Sequence, residues 1–302
     1  MAELNLRFYN GMDAYSDGVI EDEFLAIVEQ CKDIHSLLSG DSRWPILYHF
    51  SPERRNLLAW YPFNRESALL EVGAGCGALT GLFCEKVAHV SAVELSKKRS
   101  QIVCKRYSHC DNLEVFAGNI VDIKFPHLFD YITLIGVLEY TKSFIKTSNP
   151  YTHLLGKLAT CLKPGGKLFV AIENKFGIKY FAGAKEDHTG YSFDGIEGYL
   201  NTNKAETFSK EELSGFLRQA GFSHLQFYYP YPDYKLPAEI FSDSYQPDIN
   251  HIVQDAPNFD HDRLKIFSER LSLINIIRNK KFDFFSNSYL VIAQLNTPCN
   301  TG

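Results

Sequence analysis

The stretch LLEVGAGCGALTGLF, residues 69–83, contains the signals of a strand, a tight turn and a helix in direct succession. An apolar run reaches Glu71, and Gly73, Gly75 and Gly77 follow at alternate positions. Apolar residues then recur at helical spacing. Glycines let the backbone turn sharply and approach a ligand closely, while a helix N-terminus offers free N–H donors. The stretch therefore predicts a strand–turn–helix unit that binds a polar, partly anionic ligand.

The chain beyond this unit continues to alternate between strand and helix patterns. Five strands are predicted here, at residues 68–72, 89–95, 112–119, 129–137 and 166–174. The fourth of them, FDYITLIGV, is almost continuously apolar, as expected of a strand buried on both faces. Strands that alternate with helices predict a parallel, doubly wound α/β sheet. Two later strands, at 224–234 and 286–296, are also predicted, the first of them broken by Pro230 and Pro232.

Helical patterns and changes in periodicity divide the chain into four segments. Predicted helices include 21–38, Ser51 to about Tyr61, 97–107, about 151–162, 207–222 and 262–279. In the fifth of these, Ser209 and Glu212 predict a capping box and Gly221 a C-cap. The segments are an N-terminal helical cap (1–65), a core (66–235) with an irregular loop at 174–204, a lid-like helical insertion (236–284), and a last core strand with its tail (285–302).

Composition limits the class of protein. The 302 residues carry a net charge of −5, whereas a nucleic-acid-binding surface usually brings a basic excess. The seven cysteines form no CxxC pair and their number is odd, which favours reduced thiols. Neither a signal peptide nor an apolar run of bilayer length is visible. We therefore expect a cytoplasmic protein, with no metal site predicted and the oligomeric state left open.

The glycine loop alone admits more than one ligand. Gly73, Gly75 and Ala78 fit the dinucleotide pattern G-x-G-x-x-G/A, and Glu94 follows about 20 residues later. Glu71, however, precedes the glycines, where it suits an ammonium group better than a pyrophosphate. No second βαβαβ half follows either. These features move the prediction away from a nicotinamide or flavin dinucleotide.

The motifs in their order resemble the class I S-adenosylmethionine-dependent methyltransferases. The segments that carry this resemblance are EVGAGCGALT, AVEL, GNI, FDYITLIGVLEY and LKPGGKLFVAIEN. It covers about residues 66–230 and the final strand. It implies a seven-stranded, mostly parallel Rossmann-like sheet whose last strand is antiparallel. S-adenosylmethionine would bind over the carboxyl ends of the first strands and leave as S-adenosylhomocysteine.

The same resemblance implies a set of cofactor-binding residues: Glu71, Gly73, Gly75, Gly77, Glu94, Leu95, Asn119, Ile120, Gly136, Val137 and Leu138. Glu71 and the glycine backbone would hold the methionine part, with the last three residues passing beneath it. Glu94 would accept hydrogen bonds from both ribose hydroxyls. Asn119 and Ile120 would read the adenine edge, with Leu95 packed on the ring. The family more often has Asp at the position of Asn119.

The acceptor is indicated by the irregular loop at 174–204. This loop gathers carboxylates, an imidazole and a phenol: Asp187, His188, Tyr191, Asp194 and Glu197. His188 is the candidate general base because imidazole titrates near neutrality. Asp187 would orient His188 or act independently, and Tyr191 completes the candidate catalytic set. Five more residues are candidates. Tyr48 and His49 would fold over the cofactor, and Tyr231, Asp233 and Tyr234 would line the acceptor side.

The segment IGVLEY at 135–140 and the loop resemble those of small-molecule and sugar methyltransferases, including enzymes of bacterial surface-polysaccharide biosynthesis. The sequence thus predicts O-methylation of a sugar, glycan or other small polar acceptor. Two alternatives stay open. An RNA adenine N-methyltransferase has a similar glycine loop, but IGVLEY lacks the Asn/Asp-Pro-Pro-Tyr motif of base-methylating enzymes. A non-catalytic cofactor-binding subunit would dock a partner enzyme through 236–284.

Overall fold

The computed structural model describes residues 1–11, 13, 16, 18–30, 33–200, 205–252, 255–256 and 263–295. Several parts of the predicted segments lie outside these residues, namely Cys31, Cys299, the end of the irregular loop at 201–204 and the start of the predicted helix at 262. Within the described part of the chain, no helix is both long and apolar enough to cross a membrane.

The strands of the described residues are β1 (Glu3–Asn5), β2 (Ala68–Val72), β3 (His89–Glu94), β4 (Leu113–Ala117), β5 (Phe129–Ile135), β6 (Leu162–Glu173), β7 (Phe222–Tyr231), β8 (Glu239–Ser242) and β9 (Ser288–Leu295). The α-helices are α1 (Ile20–Glu29), α2 (Ile34–Gly40), α3 (Trp44–Phe50), α4 (Thr80–Lys86), α5 (Lys97–Arg106), α6 (Thr141–Phe144), α7 (Pro150–Ala159), α8 (Ile178–Phe181), α9 (Lys210–Gln219), α10 (Glu269–Arg278) and α11 (Phe282–Phe285). Two 3₁₀ turns lie at Pro52–Leu57 and Leu138–Tyr140.

All of these strands join one sheet in the order β1-β4-β3-β2-β5-β6-β9-β7-β8. The pairs from β1 to β6 are parallel, and β9 is antiparallel to both β6 and β7. The predicted parallel sheet with an antiparallel last strand is confirmed, but the count of seven strands is wrong because the sheet has nine. β1 and β8 are only three and four residues long, too short to show an alternating pattern in the sequence.

The sheet is buried on both faces, which explains its apolar strands. Leu70 and Ile132 belong to the hydrophobic cluster on one face, and Leu69 and Phe169 to the cluster on the other. Successive residues of a strand point to opposite faces, so a strand covered by helices on both sides must be apolar throughout. The ligand-binding edge of this sheet is therefore built on a rigid support.

The N-terminal helices differ from the prediction. The single helix expected at 21–38 is replaced by α1 and α2, and Asp33 caps the second of them by accepting a hydrogen bond from the Ser36 N–H at 3.0 Å. α3 was missed altogether. The helix expected from Ser51 to Tyr61 is a shorter 3₁₀ turn, Pro52–Leu57, although Ser51 does cap it as predicted.

Three later boundaries also need correction. The capping box of α9 is confirmed in both directions, but the C-cap is Ala220, and Gly221 follows it at φ +98°. The predicted helix at 262–279 begins only at α10, where Ser268 is the N-cap. β7 continues through Pro230 to Tyr231, and β6 already begins at Leu162, so the KPGG segment belongs to a strand and does not close a helix.

Candidate active site

The glycine loop connects β2 to α4 and presents its backbone to a cavity. Gly73 has φ +75°, and its N–H donates to the Val93 carbonyl at 2.8 Å. A Cβ atom at Gly73 would lie 2.2 Å from Cγ2 of Val137. Gly75, at φ +56°, also adopts a left-handed conformation. Side chains rarely adopt such conformations, so glycine is required for this turn.

A cavity of about 590 Å³ lies over the carboxyl ends of β2, β3, β4 and β5. Most of the residues predicted for the site line it, namely Gly73, Glu94, Leu95, Asn119, Ile120, Gly136, Val137, Asp187 and His188. A smaller cavity of about 60 Å³ adjoins it and is lined by Glu71, Gly73 and Gly75. Tyr48 and His49 of α3 line both cavities.

Glu94 lies buried at the end of β3 and already accepts two backbone hydrogen bonds. The N–H groups of Gly75 and Ser96 donate to its two oxygens at 2.8 and 3.0 Å. Burial raises the pKa of Glu94, against the lowering effect of Arg99 and of these N–H groups. Since a carboxylate oxygen has two lone pairs, each oxygen keeps one acceptor position. Glu94 can therefore bind two further donors, such as a pair of hydroxyls.

Glu71 is the second buried carboxyl under the glycine loop. The hydroxyl of Thr80 donates to its Oε2 at 2.6 Å. Burial raises the pKa of Glu71 to about 8, helped by the nearby charge of Glu94 and opposed by Thr80 and Arg106. A buried carboxyl of this kind is stabilised in its charged form by a cation. An ammonium group is such a cation.

Gly77 has a different role from the other two glycines. Its missing side chain leaves room for Tyr107, since a Cβ there would come within 2.8 Å of the ring, and the Tyr107 hydroxyl donates to the Gly77 carbonyl at 2.6 Å. Arg106 donates to the carbonyls of His49 and Cys76 at 2.8 and 3.0 Å. Gly77 thus packs against α5, and it lines neither of the two cavities described above.

The far side of the large cavity is formed by the turn after β4. Asn119 accepts a hydrogen bond from the Val121 N–H at 3.2 Å and donates to the Phe144 carbonyl at 3.3 Å. These bonds fix the turn. Leu95 and Ile120 add apolar surface to the wall of the cavity. A flat, polar-edged group such as a purine matches this combination of amide and apolar surface.

His188 lies at the other end of the cavity, but Asp187 does not orient it. Nδ1 of His188 is 2.8 Å from the Tyr140 hydroxyl, and Nε2 is 3.5 Å from Oε2 of Glu173. Burial would lower the pKa of His188, but Glu173 and the other nearby carboxylates raise it to about 9. Near neutral pH the imidazole is therefore mostly protonated.

Asp187 is bound to two lysines. Lys179 lies 3.0 Å from one of its oxygens, Lys235 contacts the other, and the Tyr180 hydroxyl also donates to it. Despite burial, these lysines hold the pKa of Asp187 well below its usual range. The carboxylate is thus charged and fully engaged.

The remaining candidates are divided between the cavity and the surface. Tyr234 lines the cavity, and its hydroxyl donates to Glu173 at 3.3 Å. Asp233 pairs with Lys179 at 2.8 Å. Tyr191 is 62% exposed and is not among the residues that line the described cavities. The structure therefore does not bring Tyr191 to the predicted catalytic set, because its loop turns the phenol towards solvent.

Three more of the sequence candidates do not line the cavity: Asp194, Glu197 and Tyr231. Asp194 and Tyr231 are buried elsewhere, and Glu197 is exposed. Sequence reasoning missed four that do belong to this region: Glu139, Tyr140, Glu173 and Lys235. Lys235 lies 2.7 Å from Oε1 of Glu173. A signal for Glu139 and Glu173 was present, since they sit at or just after the carboxyl ends of parallel strands.

Comparisons with known proteins agree with this geometry. A family model described as a methyltransferase domain matches residues 48–226. The malonyl-[acyl-carrier protein] O-methyltransferase of Priestia megaterium is 31% identical over 170 residues, which are 55% of this chain and 57% of that protein. A probable ribosomal RNA small subunit methyltransferase A of Methanosarcina barkeri is 36% identical over 67 residues, 22% of this chain and 23% of that protein. The chain thus spans little more than half, or less, of the length of these curated relatives.

Among solved structures, phosphoethanolamine N-methyltransferase 1 of Haemonchus contortus, in complex with phosphoethanolamine and S-adenosylhomocysteine, has a TM-score of 0.52 at 12% identity. The match covers 98% of this chain and 52% of that one. At this identity the similarity concerns the fold alone. The glycine turn, which Val137 contacts, and the acceptor positions left open on Glu94 are compatible with S-adenosylmethionine. The chain therefore belongs to the class I S-adenosylmethionine-dependent methyltransferases, with S-adenosylmethionine as its cofactor.

Proposed function

We propose that this protein transfers a methyl group to a hydroxyl of a sugar or another small polar acceptor. One observation supports this most strongly. The large cavity extends from the cofactor motifs to a polar end at which Glu139, Tyr140, His188 and Lys235 converge. Polar groups at one end of a mostly apolar pocket are typical of a site that orients a ligand rich in hydroxyls.

For the cofactor, we propose the roles implied by the family resemblance. Glu71 holds the ammonium group, Glu94 the ribose hydroxyls, and the backbone at Gly73 the methionine part. Leu95, Asn119 and Ile120 contact the adenine, while Gly136 and Val137 pass beneath the methionine. The backbone of Gly75 also faces the methionine part, and Gly77 supports the loop by packing against α5. When bound, the sulfonium supplies an electrophilic methyl group. The chain contributes chiefly by orienting the acceptor towards it.

For the acceptor, we propose that His188 and Asp187 act from their place at the polar end of the cavity. His188 is well placed to donate a hydrogen bond to an acceptor oxygen, since the carboxylates around it keep it protonated. Asp187 holds Lys235 in position. In this proposal His188 positions the acceptor, and removal of the acceptor's proton falls to another group. Tyr191, being exposed, has no part in it.

The experiment is a screen of UDP- and GDP-sugars and short glycans with S-adenosylmethionine, read by mass spectrometry. We expect one acceptor to gain the mass of one methyl group with the wild-type protein, and Glu94→Ala to abolish the gain. Glu66→Ala, which changes an exposed carboxylate outside the site, is the matched control and retains the gain. Methylation of none of these acceptors, with cofactor binding intact, would contradict the proposal.

Methylation of adenine in RNA is the second candidate, and the similarity to the ribosomal RNA methyltransferase of Methanosarcina barkeri favours it. The IGVLEY segment and the net charge of −5 speak against it. Affinity for RNA that falls steeply with salt, together with methylated adenine in the product, would establish this candidate.

The third reading, a non-catalytic role, has no observation in its favour, and the match to a methyltransferase domain speaks against it. In it the segment 236–284 would dock a partner enzyme, although its strand β8 pairs with β7 of the sheet. A methylated product formed by the isolated chain would exclude this reading.

A further inference from the structure

The 3₁₀ turn directly after β5 places one more carboxyl in the cavity. Glu139 is 1% exposed, lines the cavity and is anchored by its carbonyl, which accepts the Glu206 N–H at 3.1 Å. A Cβ atom built at Gly136 would lie 3.6 Å from Oε1 of Glu139. The carboxyl therefore lies over the backbone that is proposed to pass beneath the methionine part of the cofactor.

The other basic groups at this end of the cavity are already engaged. Asp187 is bound by two lysines and Tyr180. Oε1 of Glu173 is bound by Lys235 at 2.7 Å, and its Oε2, which has no hydrogen-bond partner among the described residues, lies 3.5 Å from Nε2 of His188. Despite burial, these two cations lower the pKa of Glu173, so it is a weak base. Nδ1 of His188 is bound to Tyr140, and its ring is held protonated by the carboxylates. None of these three groups is free to accept a proton from a ligand.

Glu139 differs from Glu173 because it lines the cavity, and it differs from all three groups because its carboxyl has no ion pair within the residues that the structure describes. Its Oε2 is buried and has no hydrogen-bond partner in the described part of the chain. Buried polar atoms are nearly always hydrogen-bonded, so an unpaired one beside a cavity points to a donor supplied by a ligand. A carboxylate oxygen can only accept, and the donor would be an O–H or N–H group of the acceptor.

We propose that Oε2 of Glu139 accepts the proton of the acceptor hydroxyl during methyl transfer. The proposal rests on the proposed function and names the general base of that site. The acceptor oxygen forms its bond to the methyl carbon while the sulfur–methyl bond breaks with its electron pair going to sulfur. The O–H proton passes to Oε2 of Glu139 and later to solvent, so no other reactant is needed.

The groups that face Glu139 set its proton affinity. They are Glu173 of β6, His188 of the irregular loop, Lys235 after β7, and the hydroxyls of Tyr48 and Tyr234 next to Gly136. Burial and the charge of Glu173 raise the pKa of Glu139 to about 8, against the lowering effect of His188 and Lys235. A general base is most effective when its pKa lies near the working pH.

The same cluster has the spacing of a cation site, since one ligand atom each of Glu139, Glu173 and His188 lie within 4.8 Å of one another. Two positive charges are already present there. Lys235 pairs with Glu173, and the imidazole of His188 is protonated. A metal ion would have to displace the imidazole proton and tolerate the lysine. We therefore favour the base over a metal ligand and make the metal an outcome of the test.

The first arm of the experiment needs no acceptor. Infrared difference spectra of the cofactor-loaded wild-type protein are recorded against pH and compared with those of Glu139→Gln. We expect the wild type to contain one carboxyl that titrates near pH 8 and that is missing in Glu139→Gln. Glu66→Gln, the matched control on the surface, keeps it. Titration of Glu139 below pH 6 would overturn the proposal, whether or not an acceptor has been found.

The second arm uses whichever nucleotide sugar the screen shows to be methylated. Glu139→Gln should lower kcat by roughly 100-fold or more, within the usual range for loss of a general base. The KM for that sugar and the Kd for S-adenosylmethionine should change little, and Glu139→Asp should restore part of the rate. The wild-type rate should rise with pH up to about 8, a limb absent in Glu139→Gln.

Two results of the second arm would contradict the role of Glu139. One is an unchanged kcat in Glu139→Gln. The other is activity that EDTA abolishes and that Zn²⁺ or Mn²⁺ restores, which would make the cluster a metal site. If Glu139→Gln folds poorly, as judged by circular dichroism, the pH dependence of the rate of Glu139→Asp is measured in its place. A rising limb with the same midpoint as in the wild type would then contradict the role of Glu139. Failure to find any methylated sugar affects only the proposed function, since the infrared arm stands alone.

Discussion

Two buried carboxyls, Glu71 and Glu94, lie in the cofactor half of the site, and they differ in the number and kind of their hydrogen-bond donors. Glu94 is held by two backbone N–H groups, whereas Glu71 has one hydroxyl donor. Burial raises the pKa of Glu94 as well, but its backbone donors and Arg99 oppose that rise. Glu71 remains largely protonated at neutral pH, with a pKa of about 8. Binding of an ammonium group should change that state.

We predict that S-adenosylmethionine releases close to one proton when it binds near pH 7. The ammonium favours ionised Glu71 and lowers its pKa, so the proton held in the free protein leaves. Calorimetry in two buffers of different ionisation enthalpy measures this release directly. It should vanish above about pH 9 and in Glu71→Gln. Equal heats in both buffers at pH 7 would contradict the prediction.

Gly73→Ala should be destabilising and should prevent cofactor binding. The new Cβ would lie 2.2 Å from Val137 and would hold a side chain at φ +75°, a combination that we expect to cost more than about 1 kcal/mol. Gly215→Ala in α9 is the matched control, because a Cβ there meets nothing within 4 Å. That change should be neutral or stabilising by up to about 1 kcal/mol. Urea denaturation of both variants gives the comparison, and equal stabilities would contradict it.

At the scale of elements, α3, the glycine loop and α5 are joined by one side chain. Arg106 of α5 donates to carbonyls of His49 in α3 and Cys76 in the loop, and its guanidinium lies 4.8 Å from the centre of the Phe50 ring. These contacts connect segments that are 30 and 57 residues apart from Arg106 in the chain. The shape of the loop thus depends on a neighbouring helix as well as on its own glycines.

Arg106→Gln should therefore weaken cofactor binding without touching the cofactor. Loss of the two hydrogen bonds should lower the free energy of unfolding by about 1–3 kcal/mol, and the loosened loop should raise the Kd for S-adenosylmethionine. Lys105→Gln changes an exposed side chain of the same helix and should leave both values nearly unchanged. A wild-type Kd in Arg106→Gln would show that the loop holds its shape alone.

The elements were predictable from the sequence to the extent that their patterns are local. β2 to β6 were found because a doubly covered strand is apolar throughout, and the α9 capping box because its two residues are three apart. β1 and β8 were missed because three or four residues are too few to show the alternating pattern of a strand. The continuous pattern at 21–38 hid the start of a second helix, α2, for which Asp33 is the N-cap.

At the scale of the whole molecule, the polar end of the cavity is assembled from distant parts of the chain. α3, the turn after β5, the irregular loop and the segment after β7 all contribute to it. Lys235, for example, is 48 residues from its partner Asp187. No local pattern specifies such contacts, so Lys235 was missed and Asp187 was assigned to His188. The cofactor half was easier to predict because its residues follow successive strands of one sheet.

We infer that the cavity over β2 to β5 binds S-adenosylmethionine through Glu94. Isothermal titration calorimetry with S-adenosylmethionine and with NAD tests it most directly, using the wild type, Glu94→Ala and the surface control Glu66→Ala. We expect saturable binding of S-adenosylmethionine to the wild type and the control, a loss of most of that binding in Glu94→Ala, and no comparable binding of NAD. Tight binding of NAD to the wild type, or unchanged binding of S-adenosylmethionine in Glu94→Ala, would contradict it.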